Sequence, residues 1–336
     1  MRQILRQLQA AQNSSSKSSF KNLPMSIQMS TNRIIERSFA VMGNTAHITL
    51  VEGNDADLDF AQIRLIELEN LWSRFLTTSE ISQLNLSQGA AVSVHAETIR
   101  LVKYMKVGRQ ITDGLFDPTL LPAMVANGYE RSLVKPMHIT LLPVGAKFNQ
   151  PLDGVVIDEA SRTICLPNDL TLDPGAIGKG LAADIVATEL MQKNVAGVCV
   201  NVGGDIRCIG RGNDSDSWRL DVASPFDESI IGSLRLQDGA VATSSIRAKT
   251  WTLDGVKKHH VLTPNTGAPR ESVENSFVQA TVVAHECVWA EVFATALLVG
   301  DPRNGFAMVD ENDLAALVVR ADQKAICSSL WSRFDV

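Results

Sequence analysis

The 336-residue chain predicts an α+β fold, with a mixed or antiparallel sheet core and helices packed on it. Three observations point there. Short β-branched runs recur at residues 36–51, 195–202, 216–250 and 276–283. Apolar residues with helical spacing occupy 56–75, 96–111, 180–192 and 287–299, enough to cover sheet faces. The composition is 45% hydrophobic and 20% charged, which supports a real core and excludes a disordered chain. At this length the core is one large domain or two closely packed ones.

Residues 1–35 hold Arg2, Arg6, Lys17, Lys21 and Arg33, with no Asp or Glu, and are Ser-rich from 14 to 19. They read as a disordered leader or, on the same composition, as an organellar transit segment. They lack the long apolar stretch of a secretory signal. A net charge of −6 without a strong basic patch argues against nucleic acid as the main partner. The longest apolar runs, such as 292–299, are too short to cross a bilayer. Cys165, Cys199, Cys208, Cys287 and Cys327 form no CxxC pair. They predict buried free thiols in a reducing, cytoplasmic setting.

In chain order, 36–51 reads as two strand-like runs around a turn at Met42, Gly43, Asn44 and Thr45. The apolar positions Leu58, Ile63, Leu65, Ile66, Leu68, Leu71, Trp72 and Phe75 predict an amphipathic helix over 56–75. Ser79 to Asn85 (SEISQLN) is polar with N-cap chemistry, and a second helix runs from Glu97 to about Ile111. In GLFDPT, proline holds Asp117 extended and gives its carboxylate a defined direction; an ordinary Asp-Pro turn fits the same hexapeptide. Residues 125–170 read as strand and loop, broken by Pro136, Pro143, Pro151 and Pro167.

The stretch TLDPGAIGKGLAADIVA at 171–187 places Gly175, Gly178 and Gly180 around Lys179, ahead of a helix over 181–191. Glycines let backbone N–H groups approach an anion, and Lys179 adds a mobile positive charge near a helix N-terminus. It is not a Walker loop, since Asp173 stands where that pattern needs Gly and Gly180 where it needs a hydroxyl. A tight strand–helix turn with an exposed lysine is the other reading. The run 195–202 ends in Gly203, Gly204 and Asp205, leaving a carboxylate at a strand edge. Runs at 218–222, 230–236 and 240–243 predict an antiparallel meander ending in the hydroxyls of Thr243, Ser244 and Ser245. Strand alternation lets only one of His259 and His260 face a sheet interior. On the last apolar helix Glu291 and Thr295 are i and i+4, one face that could hold a hard cation such as Mg²⁺.

The ordered blocks MGNTAHI, SRFxxxSEISQLN, GLFDPT, LDPGAIGKG, NVGGDI, ATSS, HHVLTPNTGAP and AEVFATAL together resemble the FAD:protein FMN transferase family, the ApbE-type flavin transferases. The resemblance spans about residue 37 to 336 and implies one flavin transferase domain over 36–336, with an FAD cleft between two subdomains. It implies FAD as substrate and Mg²⁺ as cofactor. FMN would pass to a threonine or serine hydroxyl of an acceptor flavoprotein, with release of AMP. By position, Met42, Phe75, Leu115, Phe116, Asp117, Asp173, Lys179 and Val261 match the family's FAD-contacting places. The Ala176 carbonyl, Glu291 and Thr295 match its metal ligands, and His260 matches the histidine of its H-I-I-D-P motif, near the pyrophosphate. Lys179 and His260 are the implied catalytic pair, His260 accepting the proton of the attacking hydroxyl.

Four positions depart from the family pattern. Glu291 and Thr263 each replace an Asp, Pro174 replaces a Leu and Ser245 a Gly. A longer carboxylate arm at 291 alters a site meant for a small, geometrically demanding ion. Two further functions follow from the same residues: hydrolysis of FAD to FMN and AMP, or flavin binding without catalysis.

Overall fold

The computed structural model describes residues 33–213 and 216–336; the leader expected at 1–35 lies outside those residues except for its last three positions. The strand pair expected at 36–51 is a hairpin of β1 (Ile34–Val41) and β2 (Asn44–Val51), closed by Met42 and Gly43 alone. Both turn residues have positive φ, 51° and 67°, as a two-residue type I′ turn demands. Gly43 takes that conformation freely, whereas Met42 is held in it at a cost.

α1 (Asp55–Trp72) begins with a reciprocal cap: Asn54 accepts from the Asp57 N–H at 3.2 Å, and Asp57 accepts from the Asn54 N–H at 3.0 Å. It stops three residues before the expected end, so Phe75 stands in the turn beyond it. Ser79 caps α2 (Glu80–Leu86) through the Ser82 N–H, as its polar cluster predicts. β3 (Val92–Ser93) and α3 (Ala96–Ile111) follow. The segment expected to be only strand and loop differs in part. α4 (Leu121–Ala126) reaches into its start, and β4 (Val156–Asp158) and β5 (Thr163–Cys165) make a small sheet with β3.

α5 (Gly178–Met191) begins before Lys179, so Gly178, Lys179 and Gly180 form its first turn, where a helix starting at 181 was expected. Beyond it come β6 (Gly197–Val202), β7 (Asp205–Gly210), β8 (Trp218–Ala223), β9 (Ile230–Leu236) and β10 (Gly239–Ser245). The chain continues with β11 (Thr250–Leu253), β12 (Val256–His259), β13 (Phe277–Ala284), α6 (Cys287–Val299), α7 (Pro302–Glu311), β14 (Ala315–Arg320) and β15 (Ala325–Cys327).

Eight strands form the central antiparallel sheet in the order β1-β2-β6-β7-β10-β13-β14-β15. The expected meander is therefore wrong in one respect: β10 lies between β7 and β13, while β8 and β9 pair with each other as a separate ribbon. That ribbon lies across β13 and β14, where the Gln279 side chain donates to the Ala223 carbonyl at 2.8 Å and Gly232 abuts Leu317. Helices α5 and α6 cover the sheet too, α5 against β6 and β7, α6 against β10 and β13. All eight residues of β13 are buried, so its side chains pack on both sides and alternation disappears.

α5 and α6 pack closely at Gly180. A β-carbon there would stand 2.6 Å from the Cys287 carbonyl oxygen and 2.9 Å from the Val288 nitrogen. Asp184, one turn on, accepts from the Cys287 and Val288 N–H groups at 2.8 and 2.9 Å, capping α6 from its neighbour. Replacing Gly180 by Ala forces the helices apart, and Gly180→Ala is expected to destabilise the fold by about 1–3 kcal/mol or more in urea unfolding.

Candidate active site

A cleft of about 870 Å³ opens between two packed bodies. One is the main core of sheet and helices. The other is a small cluster in which Ala123, Met124 and Leu262 are buried and Tyr129, Phe148 and Trp251 pack against them. All twelve residues singled out by position line this one cleft: Met42, Phe75, Leu115, Phe116, Asp117, Asp173, Ala176, Lys179, His260, Val261, Glu291 and Thr295. Phe116 is only 1% exposed and packs against Gly108, so it shapes the wall from behind.

One wall is aromatic. Tyr129 stacks on Trp251 with centroids 4.9 Å apart and tilts against Phe75 at 5.7 Å. The Arg74 guanidinium lies over both Phe75 and Tyr129, donates to the Tyr129 carbonyl and the Thr140 hydroxyl, and sits 3.5 Å from Asp173. Arg74 and Tyr129 carried no pattern of their own in the sequence, although Arg74 adjoins Phe75 in the SRF block.

The loop carrying the glycines is fixed from two sides. Asn85 pairs with Leu172 through both its amide groups, at 2.7 and 2.9 Å, which explains the SEISQLN block. The Asp173 N–H donates to the Pro118 carbonyl at 2.7 Å, tying LDPGAIGKG to GLFDPT. Asp117 turns one carboxylate oxygen to the Thr119 N–H and hydroxyl, both at 2.8 Å. Its second oxygen is buried without a hydrogen-bond partner among the described residues, and the Arg109 guanidinium lies 3.5 Å from the first.

At the cleft floor the Lys179 ammonium is bonded to Asp205 at 2.5 Å and to Glu291. Glu291 also accepts from the Gly180 N–H at 2.8 Å, so the first turn of α5 holds it by charge and by backbone. Burial alone would lower the lysine's pKa, but the two carboxylates outweigh it and Lys179 stays charged. Burial and the negative charge of Asp205 push Glu291 up from the ordinary carboxylate range. Asp205 was legible as the edge carboxylate after GG; its junction with Lys179 was not. Glu291 and Thr295 both face the cleft, as their i, i+4 spacing predicts, and the Thr295 hydroxyl lies 3.3 Å from that of Ser244.

One of the four departures has a local explanation here. Ser245 donates to the Val278 carbonyl at 3.1 Å and caps the turn after β10 through the Arg247 N–H. Thr263 is not among the residues lining the cleft.

Of the two histidines, His259 turns away and its Nε2 meets the Arg270 carbonyl at 3.0 Å, while His260 lines the cleft. The His260 Nδ1 lies 3.4 Å from the Lys249 carbonyl. Burial, then the neighbouring Lys249 charge, push the His260 imidazole down to about 3. It is neutral at physiological pH.

The sequence profile of the ApbE family matches residues 42–318. The chain belongs to the ApbE family. The FAD:protein FMN transferase of Vibrio cholerae serotype O1 is 26% identical over 316 residues, 89% of this chain and 92% of that one. The FAD:protein FMN transferase of Klebsiella pneumoniae strain 342 is 26% identical over 319 residues, 90% and 94% of the two chains. Among solved structures, the ApbE protein of Thermotoga maritima superposes with a TM-score of 0.78 at 23% identity, covering 90% of this chain and all 100% of that one. The flavin transferase ApbE of Vibrio cholerae gives 0.72 at 24% identity, covering 90% and 99%. The α+β architecture with its antiparallel sheet is that of the ApbE fold.

The cleft of this ApbE chain suits a flavin dinucleotide in size, since ligand sites run to about 1,000 Å³, and in chemistry, with an aromatic wall and a charged floor. The Ala176 carbonyl, Glu291 and Thr295 are hard oxygen donors of the kind Mg²⁺ takes. Lys179 competes for the same Glu291 carboxylate. Because its folded-state pKa is depressed, His260 contributes stability above its ordinary value of 6.5 that is lost as pH falls toward 3. In NMR, its ring protons are expected to show no titration between pH 5 and 8. A midpoint near 6.5 would contradict the buried, neutral imidazole.

Proposed function

We propose that this ApbE-family chain transfers FMN from FAD to a threonine or serine hydroxyl of an acceptor flavoprotein, releasing AMP. The observation that carries the reading is the convergence of every position matched to the family's FAD and metal contacts on one cleft. The acceptor hydroxyl attacks the phosphorus on the FMN side, the bond to the AMP phosphate breaks, and AMP leaves as an anion. The hydroxyl's proton passes to His260. Burial first, then the Lys249 charge, hold that imidazole's basicity down, and phosphates bound beside Lys249 would offset the second of these. Lys179, in the first turn of α5, holds Glu291 and Asp205 in place at the cleft floor, where negative charge gathers.

Ala176, Glu291 and Thr295 would hold Mg²⁺, which supplies charge neutralisation on the phosphoryl oxygens. Glu291 reaches this position from a longer arm than an aspartate and is anchored by the Gly180 N–H, so the fixed backbone offsets the extra methylene.

Incubation with FAD, Mg²⁺ and a threonine-bearing acceptor flavoprotein tests the reading, with flavin fluorescence of the denatured acceptor and AMP measured together. The expected result is labelled acceptor with equimolar AMP, and a loss of at least roughly 10²-fold in Lys179→Ala and Glu291→Ala. AMP without labelling would assign FAD hydrolysis instead. Intact FAD retained by the protein across several acceptors would assign flavin binding alone. Removal of the metal by EDTA is expected to abolish labelling and its return to restore it.

A further inference from the structure

The lysine that the glycine motif singles out is already occupied, since Lys179 is bonded to both Asp205 and Glu291. Of the two other lysines that line the same cleft, Lys135 is exposed, whereas Lys249 is half-buried with nothing bonded to its ammonium among the described residues. Lys249 sits in the turn between β10 and β11, immediately beyond the hydroxyls of Thr243, Ser244 and Ser245. Its ammonium makes no hydrogen bond or ion pair with any described residue, while its carbonyl faces the His260 ring. The charges that act on it include Lys179 from α5, Asp205 from β7, Glu291 from α6 and Arg74 from the turn after α1. The two carboxylates are engaged by Lys179, and Arg74 is engaged by Asp173 and by Tyr129 and Thr140. His260 next to it is uncharged.

An ammonium left largely out of water without a counter-charge is unfavourable, and the penalty shows in its acidity. Burial first, then Lys179 and Arg74, pull Lys249 down to about 8, partly opposed by Asp205 and Glu291. An unpartnered cation in a cleft lined also by the first turn of α5 and by Thr243, Ser244 and Ser245 fits one kind of occupant: a polyphosphate.

We propose that Lys249 is a pyrophosphate-binding residue of the cleft, supplying the positive charge that Lys179, committed to Asp205 and Glu291, does not have free. The inference rests on the flavin-transferase reading and adds to it a residue that the family motifs do not single out. Lys179 then acts mainly to set Glu291 and Asp205, and Lys249 grips the dinucleotide where its charge is concentrated.

Binding of FAD and of riboflavin, which has the ring system but no phosphate, separates the roles. Both are titrated by flavin fluorescence against the full chain, Lys249→Met and Lys249→Arg at pH 7, with thermal melts of each protein. Lys249→Met is expected to weaken FAD roughly ten- to hundredfold, to leave riboflavin within about twofold, and to melt no lower than the parent, because an unpaired charge has been removed. Lys249→Arg is expected to keep FAD within a few-fold. FAD affinity unchanged in Lys249→Met, or FAD and riboflavin weakened equally, overturns the proposal. A parent protein that binds neither flavin overturns the reading of the cleft itself.

Discussion

The close crossing of α5 and α6 at Gly180 is the constraint on which the site depends. With no side chain at 180, the N-terminal turn of α5 lies against the first turn of α6. The Gly180 N–H then reaches the Glu291 carboxylate, and Lys179 bridges Glu291 to Asp205 on β7. Helix to helix and helix to sheet are joined at a point that also forms the floor of the cleft. A buried cluster of this kind is weak evidence for stability, because desolvation of three charges offsets much of their attraction. Its effect is on geometry: each carboxylate has one orientation that satisfies its partners. Asp184 extends the same junction by capping α6 and approaching Arg207 at 3.4 Å.

The cleft exists because two cores face each other without merging. The main core carries the charged floor, and the smaller one carries Tyr129 and Trp251. Arg74 spans the gap, stacked on rings and bonded to backbone from one side and to Asp173 from the other. Met42, held at a φ of 51° by the two-residue hairpin, enters from the edge of the sheet. The strain at this residue is borne by the paired strands behind it, which fix the turn. The cleft thus combines an apolar surface for a planar ring system with a polar floor for phosphates.

Much of this was legible because it rests on local rules. The cap at Ser79, the turn at Gly43 and the helical stretches over 55–72, 96–111 and 287–299 follow from spacing and from residue chemistry. The neighbours of β10 were not legible, since alternation shows that a strand is buried but not whether the nearest ribbon pairs beside it or lies across it. The ribbon of β8 and β9 lies across. Within the site, Lys179 and Glu291 stood out by motif, whereas Lys249 and Arg74 did not. Lys249 matters because it is a half-buried cleft cation without a partner among the described residues, which is a property of its surroundings and not of its sequence context.

The sequence by itself determined the class of fold, the main helices as far as residue 299 and the family, because eight short blocks in fixed order carry that information without reference to distance. It also determined which residues would gather, since all twelve named positions face one cleft. The tertiary structure alone decided how their charges are shared. Lys179 and Glu291 are 112 residues apart and Lys179 and Asp205 are 26 apart. Electrostatic pairing depends on separation in space and on exclusion of water, and neither is a local property of the chain.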